Sequence, residues 1–325
     1  MGVNNLNNNL KFSPLLTGVA KRFPSQKFAG VQMAPIVSAA AKEGYYIKYG
    51  RENMRADGLR STEGVVSKEI YSSRDKVSYE CEKYAGRQKV FDEDVDPAAG
   101  DDLQSLKEAS TFNIRERMLL EREVQIAAVG TANASFTSGG ITNYAAAGTA
   151  WDTSSTSILN DIALAINAVH ENTGVMPTHI FIPAKVQILA AQFEPFKSWL
   201  ERGINASQGL TPYGLPATFP QFSLKIVTLE AMKDVAGFGG SNVSLSDVWS
   251  DNVIIAHVNP NWKNRALTWL STFSWIQKPV MESGIMMREY YQEDIEATWV
   301  DGKEWYDIKV VEALCGYKIT STLTS

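Results

Sequence analysis

Cysteine and histidine are scarce in this sequence of 325 residues, which contains two cysteines and three histidines. Cys81 and Cys315 lie too far apart in the chain for a CxxC metal or redox site, so we expect two buried thiols. No apolar run reaches the length of about eighteen residues that a membrane span requires, and the first residues lack the pattern of a signal peptide. The sequence therefore predicts a soluble protein that is made in the cytoplasm and contacts no membrane.

Motifs for catalysis are missing as well. The sequence has no HExxH zinc motif, no GxSxG nucleophile elbow and no GxxxxGK[ST] phosphate loop. The run GFGGSN at 237–242 does not fit the dinucleotide fingerprint, because Asn242 stands where the third glycine belongs. The dispersed His170, His179 and His257 are expected to have structural roles in the core or at a helix end. We therefore predict no enzyme activity, no cofactor and no metal site.

Charge is distributed unevenly along the chain, although the net charge is only −5. Residues 1–41 carry four cations and no acid, and residues 42–90 carry eleven cations and eight acids. Residues 91–123 carry ten acids and four cations, and their acidic run at 92–96 precedes a helix, whose dipole favours acids at that end. A basic amino-terminal quarter thus precedes an acidic body, which favours contacts with nucleic acid or with another copy of the chain.

The amino-terminal segment, residues 1–36, is rich in asparagine and proline and has no sustained hydrophobic period. We interpret it as an extended arm, and a disordered tail stays the alternative. Phe12, Phe23 and Phe28 would be unusual in a tail that touches nothing. We therefore expect these three rings to contact a neighbouring copy, where burial of their apolar area would stabilise the contact.

Alternating segments between residues 45 and 90 predict a long two-stranded excursion. It has charge on both faces and few large aliphatic residues, so it cannot form a core of its own and must lie on another surface. Its cations Lys48, Arg51, Arg55 and Arg60 are predicted to bind another copy, either at the acidic start of the long helix or at the terminal hairpin.

Two helices have clear sequence signals. The first begins at Asp101 or Asp102 and ends near Gly130, and its apolar row changes face midway, which predicts two packing surfaces. The second has one apolar stripe and is closed by Gly174. Its stripe consists of Ile158, Ile162, Ile166 and Val169.

The remaining pattern is a mixture of helix and strand. Short apolar strands at 178–183, 224–229 and 252–258 alternate with helix and loop, and they predict a small buried sheet flanked by helices. From residue 266 the pattern is β again, and Asp301-Gly302 between alternating segments predicts a type I′ hairpin turn. The fold class predicted from these elements is α+β.

Three blocks of the sequence carry a family resemblance. The first is VSYECEKYAGRQKVFDEDVD, which leads into RERMLLEREVQIAAV. The second is WDTSSTSILNDIALAINAVHENTGVMPTHIFIPAKVQILA, the third is DVWSDNVIIAHVNP followed by STFSW, and the chain ends in YKITSTLTS. In this order and spacing, the blocks resemble the major capsid proteins of tailed phages, which have the Hong Kong 97-type fold. The resemblance covers roughly residues 40–320.

The resemblance implies an α+β capsid fold in four parts. These parts are an N-terminal arm (1–40), an extended β-hairpin loop (41–90), a peripheral domain with a long spine helix (91–150 and 273–325), and an α/β axial domain (151–272).

The same resemblance implies a structural protein that assembles into pentamers and hexamers of an icosahedral shell enclosing double-stranded DNA. Its implied partners are further copies of itself, a scaffolding protein and a portal during assembly, a decoration protein, and the packaged DNA. The implied location is the virion, after synthesis in the cytoplasm of a bacterial host. The alternative is the shell protein of an encapsulin-like bacterial nanocompartment, which has the same fold and encloses cargo enzymes.

Overall fold

The structure, a computed structural model, describes most of the chain outside its amino terminus. The described residues are 28–49, 69–70, 73–94, 102–153, 158–194, 197, 218–219, 222–234, 245–261, 266–275 and 285–324. Their helices are α1 (Gly30–Met33), α2 (Asp102–Thr131), α3 (Ile158–Thr173) and α4 (Ala184–Ala190). Their strands are β1 (Ile36–Ala39), β2 (Glu43–Tyr49), β3 (Arg74–Glu80), β4 (Glu82–Phe91), β5 (Thr137–Ser138), β6 (Ile141–Thr142), β7 (Tyr144–Ala146), β8 (His179–Pro183), β9 (Thr218–Phe219), β10 (Leu224–Leu229), β11 (Met232–Asp234), β12 (Leu245–Asp247), β13 (Val253–Ala256), β14 (Leu270–Trp275), β15 (Met286–Gln292), β16 (Ala297–Val310) and β17 (Gly316–Thr320).

The long helix α2 packs on two surfaces, as the change in its apolar face predicts. Near its middle, Ile114 and Met118 lie in one buried cluster with Val300. In its second half, Ile126 and Ala127 belong to a different buried cluster. The helix has 30 residues, so its predicted length and ends are confirmed to within one residue.

The first sheet has six strands in the order β7-β17-β13-β8-β10-β9. Its centre consists of the three strands predicted from apolar runs, with β8 parallel to β10 and antiparallel to β13. One face packs on α3 and α4, where Ile162 and Val186 meet Ile180 and Ile255. The other face packs on the second half of α2, so this sheet is buried on both sides.

The second sheet has five strands in the order β1-β14-β16-β15, with β4 also paired to β16. Strand β16 spans 14 residues and is the axis of the sheet, since β15 pairs with its first half and β14 with its last residues. Strand β4 runs antiparallel along it from Phe91 opposite Ala297 to Glu82 opposite Tyr306. Alternate residues of β16 face α2, where Val300 is buried against Ile114.

The predicted hairpin turn at Asp301-Gly302 is wrong. Strand β16 continues through both residues, and the chain reverses earlier, at 293–296, where Glu296 has a left-handed φ of 44°. Glycine at 302 instead allows α2 to lie close to the strand, because a Cβ on Gly302 would lie 2.7 Å from Ile114 Cγ2. Asp301 is held by Arg288 in the neighbouring strand, at 2.7 Å between the guanidinium and the carboxylate.

The remaining elements are small. Strands β2 and β3 form the antiparallel hairpin predicted for the excursion, and β1 adds to the five-stranded sheet parallel to β14. Strands β5 and β6, and β11 and β12, form two short antiparallel pairs. Within the part of the chain that the structure describes, no helix is both long and apolar enough to cross a membrane.

Candidate assembly surfaces

The base of the β2–β3 hairpin is fixed to the five-stranded sheet by aromatic rings. Tyr79 stacks on Phe273 with ring centroids 4.7 Å apart, and Tyr46 stacks on the same ring at 5.3 Å. The Tyr46 hydroxyl donates a hydrogen bond to the Val310 carbonyl at 3.3 Å, and burial raises the pKa of Tyr46 to about 12. The hairpin therefore leaves the body of the protein in a defined direction.

The outward side of this hairpin is not covered by the described part of its own chain. Tyr45 and Ile47 point away from the base, since side chains of a strand alternate, and they are 60% and 42% exposed. The Lys76 ammonium lies 4.8 Å from the centre of the Tyr45 ring. The hairpin thus presents apolar and cationic groups together to whatever lies beside it.

The residues predicted to contact another copy fall into two groups. Lys48 lies within ion-pair distance of Glu312 of the same chain, with 3.0 Å between nitrogen and oxygen, and Phe28 packs half-buried against the core cluster beneath the six-stranded sheet. These two side chains therefore have intramolecular partners. The others lie outside the described residues: Phe12, Phe23, Arg51, Arg55 and Arg60.

The end of the amino-terminal segment is tied to the body by a buried carboxylate. Glu123 of α2 accepts hydrogen bonds from the backbone N–H of Gly30 at 2.7 Å, from that of Ala29 at 3.3 Å, and from the Trp249 indole at 2.9 Å. Burial raises the pKa of Glu123 to about 7, although the three donors act in the opposite direction. One side chain of the long helix thus joins the arm to the loop before β13.

A buried ion pair connects α2 to the five-stranded sheet one residue earlier in the helix. Arg122 pairs with Glu304 of β16, and both side chains are almost completely buried. The Arg122 guanidinium also lies 5.4 Å from the centre of the Tyr306 ring, and burial raises the pKa of Glu304 while Arg122 lowers it. The sequence pattern did not reveal this pair, because Asp301-Gly302 has the residue types of a hairpin turn. A continuous strand would have put Glu304 in phase with Val300, on the buried face.

The structure brings two of the three histidines near each other, since His179 of β8 pairs with Ala256, the residue before His257. His179 stacks on Phe181 with ring centroids 5.8 Å apart, and burial lowers its pKa to about 4. The His257 Nδ1–H donates a hydrogen bond to the Met176 carbonyl at 2.8 Å, and His170 is exposed near the end of α3. No group of three or more histidine, cysteine or acidic side chains that could hold a metal ion occurs among the residues described.

Comparisons with known proteins connect this geometry to a class of assemblies. No family model and no curated protein matches the sequence. A phage-related protein from Bordetella bronchiseptica has a similar structure, with a TM-score of 0.70, 16% identity, and coverage of 96% of this chain and 98% of that one. The capsid structure of the cyanophage P-SCSP1u matches with a TM-score of 0.59, 11% identity, and coverage of 91% and 89%.

This chain has a phage capsid fold. The predicted α+β class and the Hong Kong 97-type capsid fold are thereby confirmed. The capsid fold is also found in the encapsulin from Synechococcus elongatus, at a TM-score of 0.55 and 9% identity, covering 89% of this chain and 85% of that one. At these identities the similarity defines the fold, and the capsid fold alone does not separate a virus shell from an encapsulin shell.

Proposed function

We propose that this protein is the major capsid protein of a tailed phage, which assembles into pentamers and hexamers of an icosahedral shell around double-stranded DNA. The observation that carries the proposal is the similarity of fold to phage capsid proteins across nearly the full length of both chains. Its mechanism is assembly rather than catalysis. The β2–β3 hairpin and the amino-terminal arm would bind neighbouring subunits.

The contacts at the base of the hairpin support this role. A two-stranded hairpin in water is marginally stable, so a long one gains order when it lies on a second surface. Here the base is anchored by Tyr46 and Tyr79, while Tyr45 and Ile47 on the opposite side stay exposed. We propose that these exposed side chains pack on a neighbouring subunit.

The assignment of parts follows the capsid fold. We propose an arm at 1–40, an extended loop at 41–90, a peripheral domain at 91–150 and 273–325, and an axial domain at 151–272. We further propose that a scaffolding protein and a portal act during assembly, that a decoration protein binds the shell, and that synthesis takes place in the host cytoplasm before incorporation into the virion.

The predicted role of the loop cations is tested best by a variant that leaves Lys48 unchanged. Since Lys48 pairs with Glu312 of its own chain, its reversal would disturb the monomer as well as any contact between subunits. The triple variant Arg51→Glu, Arg55→Glu, Arg60→Glu is expected to keep the circular dichroism spectrum of the wild type and to lose shell formation. Normal shells from this variant would reject the proposed role of these three arginines.

Electron microscopy of the purified chain, alone and with a co-expressed scaffolding protein, tests the function itself. We expect closed shells of uniform size built from rings of five and six subunits. A protein that stays monomeric under both conditions would contradict the proposal. The encapsulin alternative is separated by the contents of particles isolated from the native host, because nuclease-protected DNA supports a capsid and a single enriched enzyme supports a nanocompartment.

A further inference from the structure

The five-stranded sheet has a second face, which points away from α2. Val300 and Gly302 of β16 contact α2. Because successive side chains of a strand point to opposite sides, Trp299 and Asp301 lie on the other face of the sheet. The pairing register shows which side chains of β4 and β15 lie beside them.

Two rows of side chains cross this second face, and both combine cations with an aromatic ring or an acid. We name this surface the cation–aromatic face. Its members are Lys89, Trp299 and Tyr290 in one row and Arg87, Asp301 and Arg288 in the next, each row taken across β4, β16 and β15.

The cations of the face are held against the aromatic rings. The Arg87 guanidinium lies 4.4 Å from the centre of the Trp299 ring, and the Lys89 ammonium lies 5.2 Å from it. The Arg288 guanidinium lies 5.0 Å from the centre of the Tyr290 ring. Trp299 is only 8% exposed, because its neighbours cover it. Stacking therefore holds the charges in place without neutralising them.

Positive charge is in excess on this face. Asp301 is its one acid, and that carboxylate is shared between Arg288 at 2.7 Å and Lys303 at 2.8 Å. Arg87 and Lys89 are exposed, and neither forms an ion pair with a carboxylate among the described residues. Their charge is thus available to a partner of the opposite sign.

The same sheet ends in a cluster of the opposite sign, which we name the acidic corner. It is formed where β4 and β15 end in short 3₁₀ turns, and the N–H of Asp92 donates to the Glu296 carbonyl at 3.0 Å, which joins the two turns. The corner consists of the exposed Asp92, Glu93, Glu293, Asp294 and Glu296.

We propose that the acidic corner of one copy docks on the cation–aromatic face of a second copy. Both surfaces belong to strands paired with the continuous β16, so one chain cannot fold its own corner onto its own face. The contact is therefore head to tail, and such heterologous contacts close into rings when the rotation between copies allows it. The proposal rests on the proposed shell function and names one of its subunit contacts.

Duplex DNA is the other anion that a positive face could bind, but the negative charge of the nearby acidic corner disfavours DNA binding. A long polyanion lying on the face would pass the five carboxylates at the end of the same sheet. A second copy brings a compact set of acids that matches the small area of the face. Charge complementarity of this kind sets orientation and association rate, and it weakens as salt increases.

A charge swap on the full chain tests the proposal. Arg87→Glu with Lys89→Glu reverses the face. The triple change Glu93→Lys, Glu293→Lys and Asp294→Lys reverses the corner while sparing Asp92, which accepts a hydrogen bond from Tyr291. Sedimentation velocity at about 50 mM salt is expected to show at least about tenfold weaker self-association for each reversed variant. The combined variant, with a negative face and a positive corner, is expected to return to within about threefold of the wild type.

The matched control for the reversed face is Lys185→Glu with Lys233→Glu, which makes the same change in net charge as the face variant, at exposed positions of the other half of the molecule. It is expected to associate like the wild type, and equal weakening in the control would overturn the proposal in favour of a net-charge effect. A combined variant that stays weak would also overturn it. So would a reversed face that leaves association intact but abolishes binding of a 30-base-pair DNA duplex.

The outcomes separate this proposal from the proposed function. Closed shells that form equally well from all the charge variants would leave the capsid function standing and reject the contact. Association that follows the charge swap, without closed shells under any condition, would support the contact and reject the capsid function.

Discussion

The two sheets of this protein are stabilised by different chemistry. The six-stranded sheet is apolar on both faces, and every residue of its central strand β13 is buried. The five-stranded sheet has a small apolar cluster on one face, around Ile114, Met118 and Val300, next to the buried Arg122–Glu304 pair. Its other face carries stacked cations at one end and, at the other end, the aromatic cluster of Phe273, Tyr46 and Tyr79.

This difference indicates which sheet depends on its surroundings. Apolar burial contributes about 25 cal/mol per Å², so the six-stranded sheet has a large stabilising term of its own. A buried ion pair contributes little net stability, because desolvation offsets much of the attraction. Contact with a neighbouring subunit should therefore stabilise the five-stranded sheet more than the six-stranded one. Substitutions in the two sheets should have different consequences.

The largest effect is expected when the buried pair loses one partner. Arg122→Met leaves the Glu304 carboxylate buried without its cation, which should lower the free energy of unfolding by about 4 kcal/mol. Urea denaturation of the unassembled subunit measures this loss. The double variant Arg122→Met with Glu304→Leu should recover most of it, since the apolar pair has no charge to desolvate.

The six-stranded sheet provides the matched comparison. Ile255→Ala removes a fully buried side chain from its centre and should cost about 3 kcal/mol, with no single second substitution that restores it. If the double variant at Arg122 and Glu304 stayed as unstable as the single one, the proposed difference between the sheets would be wrong.

The sequence predicted the six-stranded sheet better than the five-stranded one, for a physical reason. The runs at 178–183, 224–229 and 252–258 are apolar because both faces of their sheet are buried, so composition alone marks them. The change of apolar face within α2 is visible in the sequence for the same reason, because the spacing of apolar residues indicates which side of the helix is buried.

The five-stranded sheet was harder to predict, because its signals conflict. Asp301-Gly302 has the residue types of a hairpin turn. Here, however, the glycine allows α2 to lie close to the strand, and the aspartate forms ion pairs with cations of β15 and β16. Lys48 was predicted to bind another copy, and its carboxylate partner Glu312 is 264 residues away in the chain. Local patterns do not encode such distant pairs, which tertiary packing decides.

The second prediction concerns Glu123, which lies where α2 passes from one sheet to the other. Its pKa is raised from 4.5 to about 7 in the folded protein, so the folded state binds this proton more tightly than the unfolded state. The contribution of protonated Glu123 to the free energy of unfolding is therefore complete below pH 4.5. It falls by about 3 kcal/mol in total as the pH rises to about 7.

The variant Glu123→Gln is the control for this pH dependence, because it has no proton to lose. Relative to the variant, the wild type should lose about 3 kcal/mol of unfolding free energy between pH 4.5 and pH 8. A difference that stays constant over this range would show that Glu123 has an ordinary pKa despite its burial.

The smallest effect is expected from a pair of glycines that face each other across β4 and β16. A Cβ on Gly302 would lie 2.7 Å from Ile114 Cγ2 and 3.0 Å from Met118 Sδ, so Gly302→Ala should force the helix away and cost about 2 kcal/mol. Gly86 is its register partner, and a Cβ there would lie 3.6 Å from Ile114 Cγ2, an ordinary contact. Gly86→Ala should therefore change stability by less than about 0.5 kcal/mol, or raise it, because alanine restricts the unfolded chain. Equal costs at the two positions in urea denaturation would mean that strand geometry, rather than the approach of α2, requires glycine at this point of the five-stranded sheet.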